Sequence, residues 1–256
     1  MRWIALLAVA CLAGSGCISA SGSVVEEGQP ALHEALLWST LYPTVVVEVG
    51  AVEGRAPDQT ALVALGRTLV ELTGRADAGV RVLQPQAVPA QGGGYKPSDL
   101  ARIHHETARV IDPDRLAIGG TAMLHILFLD GGMAPGEHER LTLGSTLSAE
   151  GLIVVFPDEY SQAIRLTPSG QTAPARAEMD RHVLLHELGH AFGLVGQRIP
   201  MVHPHDDAAH RGHSANPYSI MHHRPPMTLE GFVYGETRDF DADDRADLAA
   251  FRASVP

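Results

Sequence analysis

Apolar positions along the chain fall into blocks of two different periods. Thr44 to Gly50 is a β-branched run after Pro43 and predicts a strand. Leu62, Leu65, Leu69 and Leu72 then recur at helical spacing. Pro57-Asp58 ahead of them and Gly74 behind supply start and stop signals for an amphipathic helix. Val80 to Leu83 predicts a second strand, and Pro85 to Tyr95 a Pro/Gly-rich loop. Pro97-Ser98-Asp99 opens a helix reaching about Val110. Leu124 to Leu129 and Gly151 to Phe156 predict two strongly apolar strands, with an edge strand near Leu141 to Thr146. Pro174 to Phe192 reads as a long helix stopped at Gly193. Periodicity is lost from Gly196 to Pro226, and Asp241 to Arg252 closes the chain as a helix.

This order predicts an α/β (α+β) domain over residues 41–256. A small mixed sheet with helices forms its N-terminal lobe, 41–193. A loop-rich C-terminal lobe, 194–256, carries the terminal helix. A stretch of roughly 30 residues without periodicity, inside a compact domain, points to a functional or anchored loop.

The N-terminus has another character. Arg2 is the only charge before Glu26, and Ile4 to Ala13 is an apolar run of signal-peptide length. It is shorter than the roughly 20 apolar residues that span a bilayer. Ala13-Gly14-Ser15-Gly16-Cys17 resembles a bacterial lipoprotein box, with Gly14 where Leu is usual. The resemblance implies a signal peptide over 1–16, lipidation of Cys17, and a tether and leader over 17–40. The protein would then be exported and held on a membrane of the cell envelope. An ordinary cleaved signal and a soluble secreted or periplasmic product is the other reading.

Composition narrows the chemistry. A net charge of -11 excludes a nucleic-acid-binding face, which needs dense Lys and Arg. Cys11 and Cys17 are the only cysteines, so residues 18–256 hold no disulfide, thiolate metal site or cysteine nucleophile. Histidine is the anomaly: nine of the 14 lie between His182 and His223, and imidazole is the commonest metal ligand.

His186-Glu187-Leu188-Gly189-His190 is an HExxH motif inside the long helix. Four residues apart, the two imidazoles share one helical face and can grip one Zn2+. Glu187 lies beside them, positioned to take a proton from a water whose pKa the metal lowers. Two histidines underfill a tetrahedral ion, so a third ligand is required. His203, His205, His210 and His213 are the candidates.

His186-Glu187-x-x-His190-x-x-Gly193 resembles the start of the metzincin signature, in which a third His follows the glycine by three residues. Gly196 occupies that position here and cannot ligate. In archaemetzincins the third His is followed by Cys at +1, Cys at +6 and Met at +8. His213 is followed by Ser214, Ser219 and Met221 at those positions. The resemblance, which covers roughly 43–223, implies a metzincin-like zincin with about 17 residues inserted before the third ligand, as a surface loop tolerates. It implies Zn2+ on His186, His190 and His213, Glu187 as catalytic base, and Met221 in a structural Met-turn. The substrate would be a peptide or protein. The cysteines that build a second zinc site in archaemetzincins are missing, so no such site is expected. A gluzincin-like site with Glu230 as third ligand is an enzymatic alternative. A metal-binding lipoprotein serving as a binding or structural module is the alternative of another class.

The remaining candidates have plainer readings. His104 and His105 read as exposed helix residues, and His182 as a partly exposed histidine. Asp206-Asp207 reads as a solvated turn, with Ca2+ binding or orientation of a ligand His as the other possibility. His223, two residues past Met221, lies where some metzincins carry an oxyanion-assisting Tyr. Asp241, Asp243, Asp244 and Asp247 read as a solvated helix face.

Overall fold

The computed structural model describes residues 29–134, 142–165, 176–224 and 239–254. Residues 1–16, expected from the sequence to be a signal peptide, lie outside them, as do Cys17 and Glu230. Seven strands, β1 Thr44–Ala51, β2 Val80–Val82, β3 Gln86–Ala87, β4 Ala117–Ile118, β5 Thr121–Phe128, β6 Gly144–Leu147 and β7 Leu152–Val155, form one mixed sheet. Its main path runs β2-β1-β5-β7-β6. β1, β2, β5 and β7 are parallel, and β6 lies antiparallel on the edge beside β7. The helices are α1 Leu32–Leu37, α2 Gln59–Thr73, α3 Pro97–Thr107, α4 Pro157–Arg165, α5 Arg176–Ala191 and α6 Ala242–Ala253. Among the described residues no helix is long and apolar enough to cross a membrane.

The central strands read as continuous apolar runs because both of their faces are covered. Val45, Val47, Val49, Leu124, Ile126 and Phe128 pack on one face with apolar residues of α1, α2 and α5. On the other face Leu127, Leu152 and Val154 join Leu100 and Ile103 of α3. Burying such a side chain contributes roughly 1.5–3 kcal/mol. The mixed α/β architecture, with the HExxH helix packed on the sheet and a terminal helix after an irregular segment, is the one the hydrophobic pattern predicts.

Several local expectations change. Helix α1, which falls in the predicted leader, buries Leu32, Leu36 and Leu37 in the main core. Helix α3 ends at Thr107 and not near Val110. The buried carboxylate of Glu48 on β1 accepts from the backbone N–H of Arg109, Val110 and Ile111 at 2.9–3.1 Å, which draws these groups away from a helical ladder. His104 is buried, not exposed: its Nδ1 meets Nδ1 of His125 at 2.8 Å. His182 is buried as well.

The acidic run on α6 is likewise not a solvated face. Asp241 caps the helix, accepting from the N–H of Asp243 and Asp244 at 2.9 and 3.0 Å. Asp244 and Asp247 are fully buried against the irregular segment. Ser219 Oγ donates to Asp244 at 2.8 Å, and the Val202 N–H donates to Asp247 at 2.6 Å. Two carboxylates of α6 thus tie down the loop that carries six of the 14 histidines.

Candidate metal centre

Helix α5 supplies the first two histidines. It packs on α2 and on strands β6 and β7, so His186 and His190 are held on a rigid element and are both buried. The helix stops where Gly193 takes φ 75°. A Cβ there would lie 2.4 Å from Cβ of Arg198, so the turn that sends the chain away from the helix demands glycine.

The segment after this turn folds back and brings His213 to the same place. The Asp207 N–H donates to the His213 carbonyl at 2.7 Å, and the Ser214 N–H to the Met221 carbonyl at 2.9 Å. Rings of His186, His190 and His213 form a near-equilateral triangle, with centroid separations of 4.8, 5.0 and 5.2 Å. One ring nitrogen from each lies within 4.8 Å of the other two.

The hydrogen bonds define which nitrogen each ring offers. Nδ1–H of His186 donates to the Ile220 carbonyl at 2.7 Å, which leaves the Nε2 lone pair for another partner. Nδ1 of His213 faces the His210 carbonyl at 3.3 Å. The side-chain nitrogen of Gln197 lies 3.0 Å from Nδ1 of His190; the amide turned by half a rotation, oxygen towards the ring, would accept an Nδ1–H and leave the lone pair on Nε2. Nε2 of His190 and Nε2 of His213 are buried with no hydrogen-bond partner. An orphaned buried polar atom costs about 1–3 kcal/mol. Burial also keeps the rings neutral, lowering the pKa of His186 to about 4, that of His213 to about 3, and that of His190 well below its ordinary value. Three neutral, buried imidazoles with converging lone pairs fit a divalent cation that prefers nitrogen ligands.

Glu187 is buried on the same helix. Thr146 Oγ1 on edge strand β6 lies 2.7 Å from its Oε2 and 2.9 Å from its carbonyl oxygen, orienting the carboxylate. Beneath the helix, a Cβ on Gly189 would come within 2.1 Å of Sδ of Met221. The glycine inside the motif therefore lets Met221, fully buried, pack under the histidines. Its turn is fixed by Ser219, whose Oγ accepts from the Met221 N–H at 2.9 Å. Ser219 stands at the +6 position expected of a cysteine and serves as a hydrogen-bonding strut to α6.

The rival histidines are engaged elsewhere. His203 is exposed and lies 3.3 Å from Asp243. His205 is buried, with Nε2 at 3.5 Å from Asp244 and 3.7 Å from Asp247. Nδ1 of His210 is 2.7 Å from Asp207. His223 stacks on His210 and has its centroid 6.5 Å from that of His213. Gln197 and Thr146 were not singled out in the sequence. Neither belongs to the motif, and only the tertiary fold brings them to it.

No protein-family model and no curated protein matches the chain. Among solved structures it is similar to an archaemetzincin from Methanopyrus kandleri, at 20% identity over 81% of this chain and 95% of that one, with a TM-score of 0.46.

Proposed function

We propose that this protein is a zinc-dependent metallopeptidase of the metzincin type. His186, His190 and His213 would hold Zn2+ through Nε2. The observation that carries the reading is the pair of buried, unpartnered Nε2 atoms on His190 and His213 beside a carboxylate that Thr146 orients. When bound, zinc supplies an electrophile that acidifies a water and polarises a carbonyl.

The chain's residues do the rest. Glu187 takes a proton from the attacking water, holds it on Oε1 while Thr146 occupies Oε2, and returns it to the leaving nitrogen of a peptide bond. The Ile220 carbonyl holds the tautomer of His186, the Gln197 amide would do the same for His190 with its oxygen turned to the ring, and such outer partners fix ligand orientation. Met221 supports the floor of the site. We further propose that Cys17 carries a lipid that anchors the protein to a membrane of the cell envelope after removal of residues 1–16.

Glu187→Gln separates chemistry from metal binding. The variant is expected to keep its zinc while peptidase activity falls about 10²–10⁴-fold, the usual cost of losing a general base. Wild-type activity in this variant would overturn the mechanism. Zinc binding with no peptide cleaved by the wild type would favour a binding module instead. Cys17→Ser is expected to abolish lipid labelling and release the protein from the membrane fraction; unchanged labelling refutes the anchor.

A further inference from the structure

A second group of ligating side chains lies beside the first. Asp207, His210 and His223 each offer an atom within 4.8 Å of the other two. Nδ1 of His210 is 2.7 Å from Oδ2 of Asp207, and Nδ1 of His223 is 3.5 Å from the same oxygen. Both imidazoles therefore direct Nδ1 towards one carboxylate. The side chain of His223 is 10% exposed, and its Nδ1 is buried with no hydrogen-bond partner. At 3.5 Å from Asp207 that nitrogen is too far for a good hydrogen bond. The imidazole planes are 6° apart with centroids 3.6 Å apart.

From this geometry we infer that Asp207, His210 and His223 form a second divalent-metal site, distinct from the three-histidine centre. The donor set, two imidazole nitrogens and one carboxylate oxygen, suits Zn2+, Co2+ or Ni2+, not Ca2+, which prefers oxygen ligands. A metal ion takes the place of the proton between His210 and Asp207 and gives Nδ1 of His223 the partner it lacks. A shared ion requires the two parallel rings to turn until both lone pairs meet at one point. Asp207 and His210 are about one-fifth exposed, so an ion reaches the site from solvent and water completes its coordination. The site spans the inserted loop and the residues just after Met221, so an ion there clips the two together.

The site does not depend on the peptidase reading, and one experiment separates them. Metal-free full-length protein, equilibrated with Zn2+ at neutral pH, is dialysed and its zinc measured per chain. Wild type is expected to hold two equivalents, His210→Ala/His223→Ala one, and His186→Ala/His190→Ala one. Asp207→Asn, a milder change, is expected to weaken only the second equivalent, and circular dichroism reports whether each variant folds. With Co2+ as probe, the visible spectrum of wild type should be the sum of those of the two double variants. A wild type holding a single equivalent that His210→Ala/His223→Ala retains would overturn the second site. So would two equivalents unchanged in that variant and in Asp207→Asn. A single equivalent lost in His210→Ala/His223→Ala and kept in His186→Ala/His190→Ala would support the second site and overturn the first.

Discussion

Two sets of buried histidines in the C-terminal half meet opposite electrostatic fates. His186, His190 and His213 face one another, and burial drives their pKa values down, to about 4 and about 3 for the first and last. His205 is also buried but faces Asp244 at 3.5 Å and Asp247 at 3.7 Å, and interaction with the Asp244 carboxylate above all raises its pKa to about 9. Burial alone does not decide what a histidine does. Neighbours made of neutral rings leave lone pairs for a cation, whereas neighbouring carboxylates make the ring itself the cation. The first arrangement suits metal binding and the second fastens a loop.

The comparison breaks most sharply at His205. His205→Ala strands two buried carboxylates, and removing one partner of a buried ion pair costs about 3–5 kcal/mol. Denaturant unfolding should show that loss at pH 7. In the wild type the folded pKa, about 9, lies above the unfolded value of about 6.5. The contribution of His205 is therefore full below the unfolded value and lost as pH rises through about 9. Stability measured from pH 6 to 10 should fall more steeply in wild type than in His205→Gln; parallel curves would show that His205 does not act as a cation.

A smaller effect sharpens the other side. Thr146→Val keeps shape but deletes the hydroxyl beside Glu187. Loss of one such hydrogen bond is worth about 1 kcal/mol, or roughly a fivefold drop in kcat/KM with zinc content unchanged. A loss of zinc in this variant would mean that Thr146 supports the fold of the centre and does not orient the base.

How much of this was legible depended on the range of the interactions. The HExxH pair shows in the sequence because both histidines lie one turn apart on one helix. His213 and Met221 show only through spacing shared with a family, because the loop between them and Gly193 has no period of its own. Thr146 and Gln197 carry no local signal, since one comes from an edge strand and the other from a turn. The acidic run of α6 misled for a related reason. Charge at helical spacing ordinarily faces water, but Asp244 and Asp247 find partners in Ser219, His205 and the backbone of Val202. His104 misled likewise, because its partner His125 is distant in sequence, on the face of β5 that α3 covers.

The proposed centre places one zinc ion on three imidazoles, two from the helix and one from the returning loop. Zinc K-edge X-ray absorption tests it most directly, on protein carrying His210→Ala/His223→Ala so that a single site is observed. Three imidazole nitrogens at about 2.0–2.1 Å are expected, falling to two when His213→Ala is added. A shell that His213→Ala leaves unchanged would contradict it.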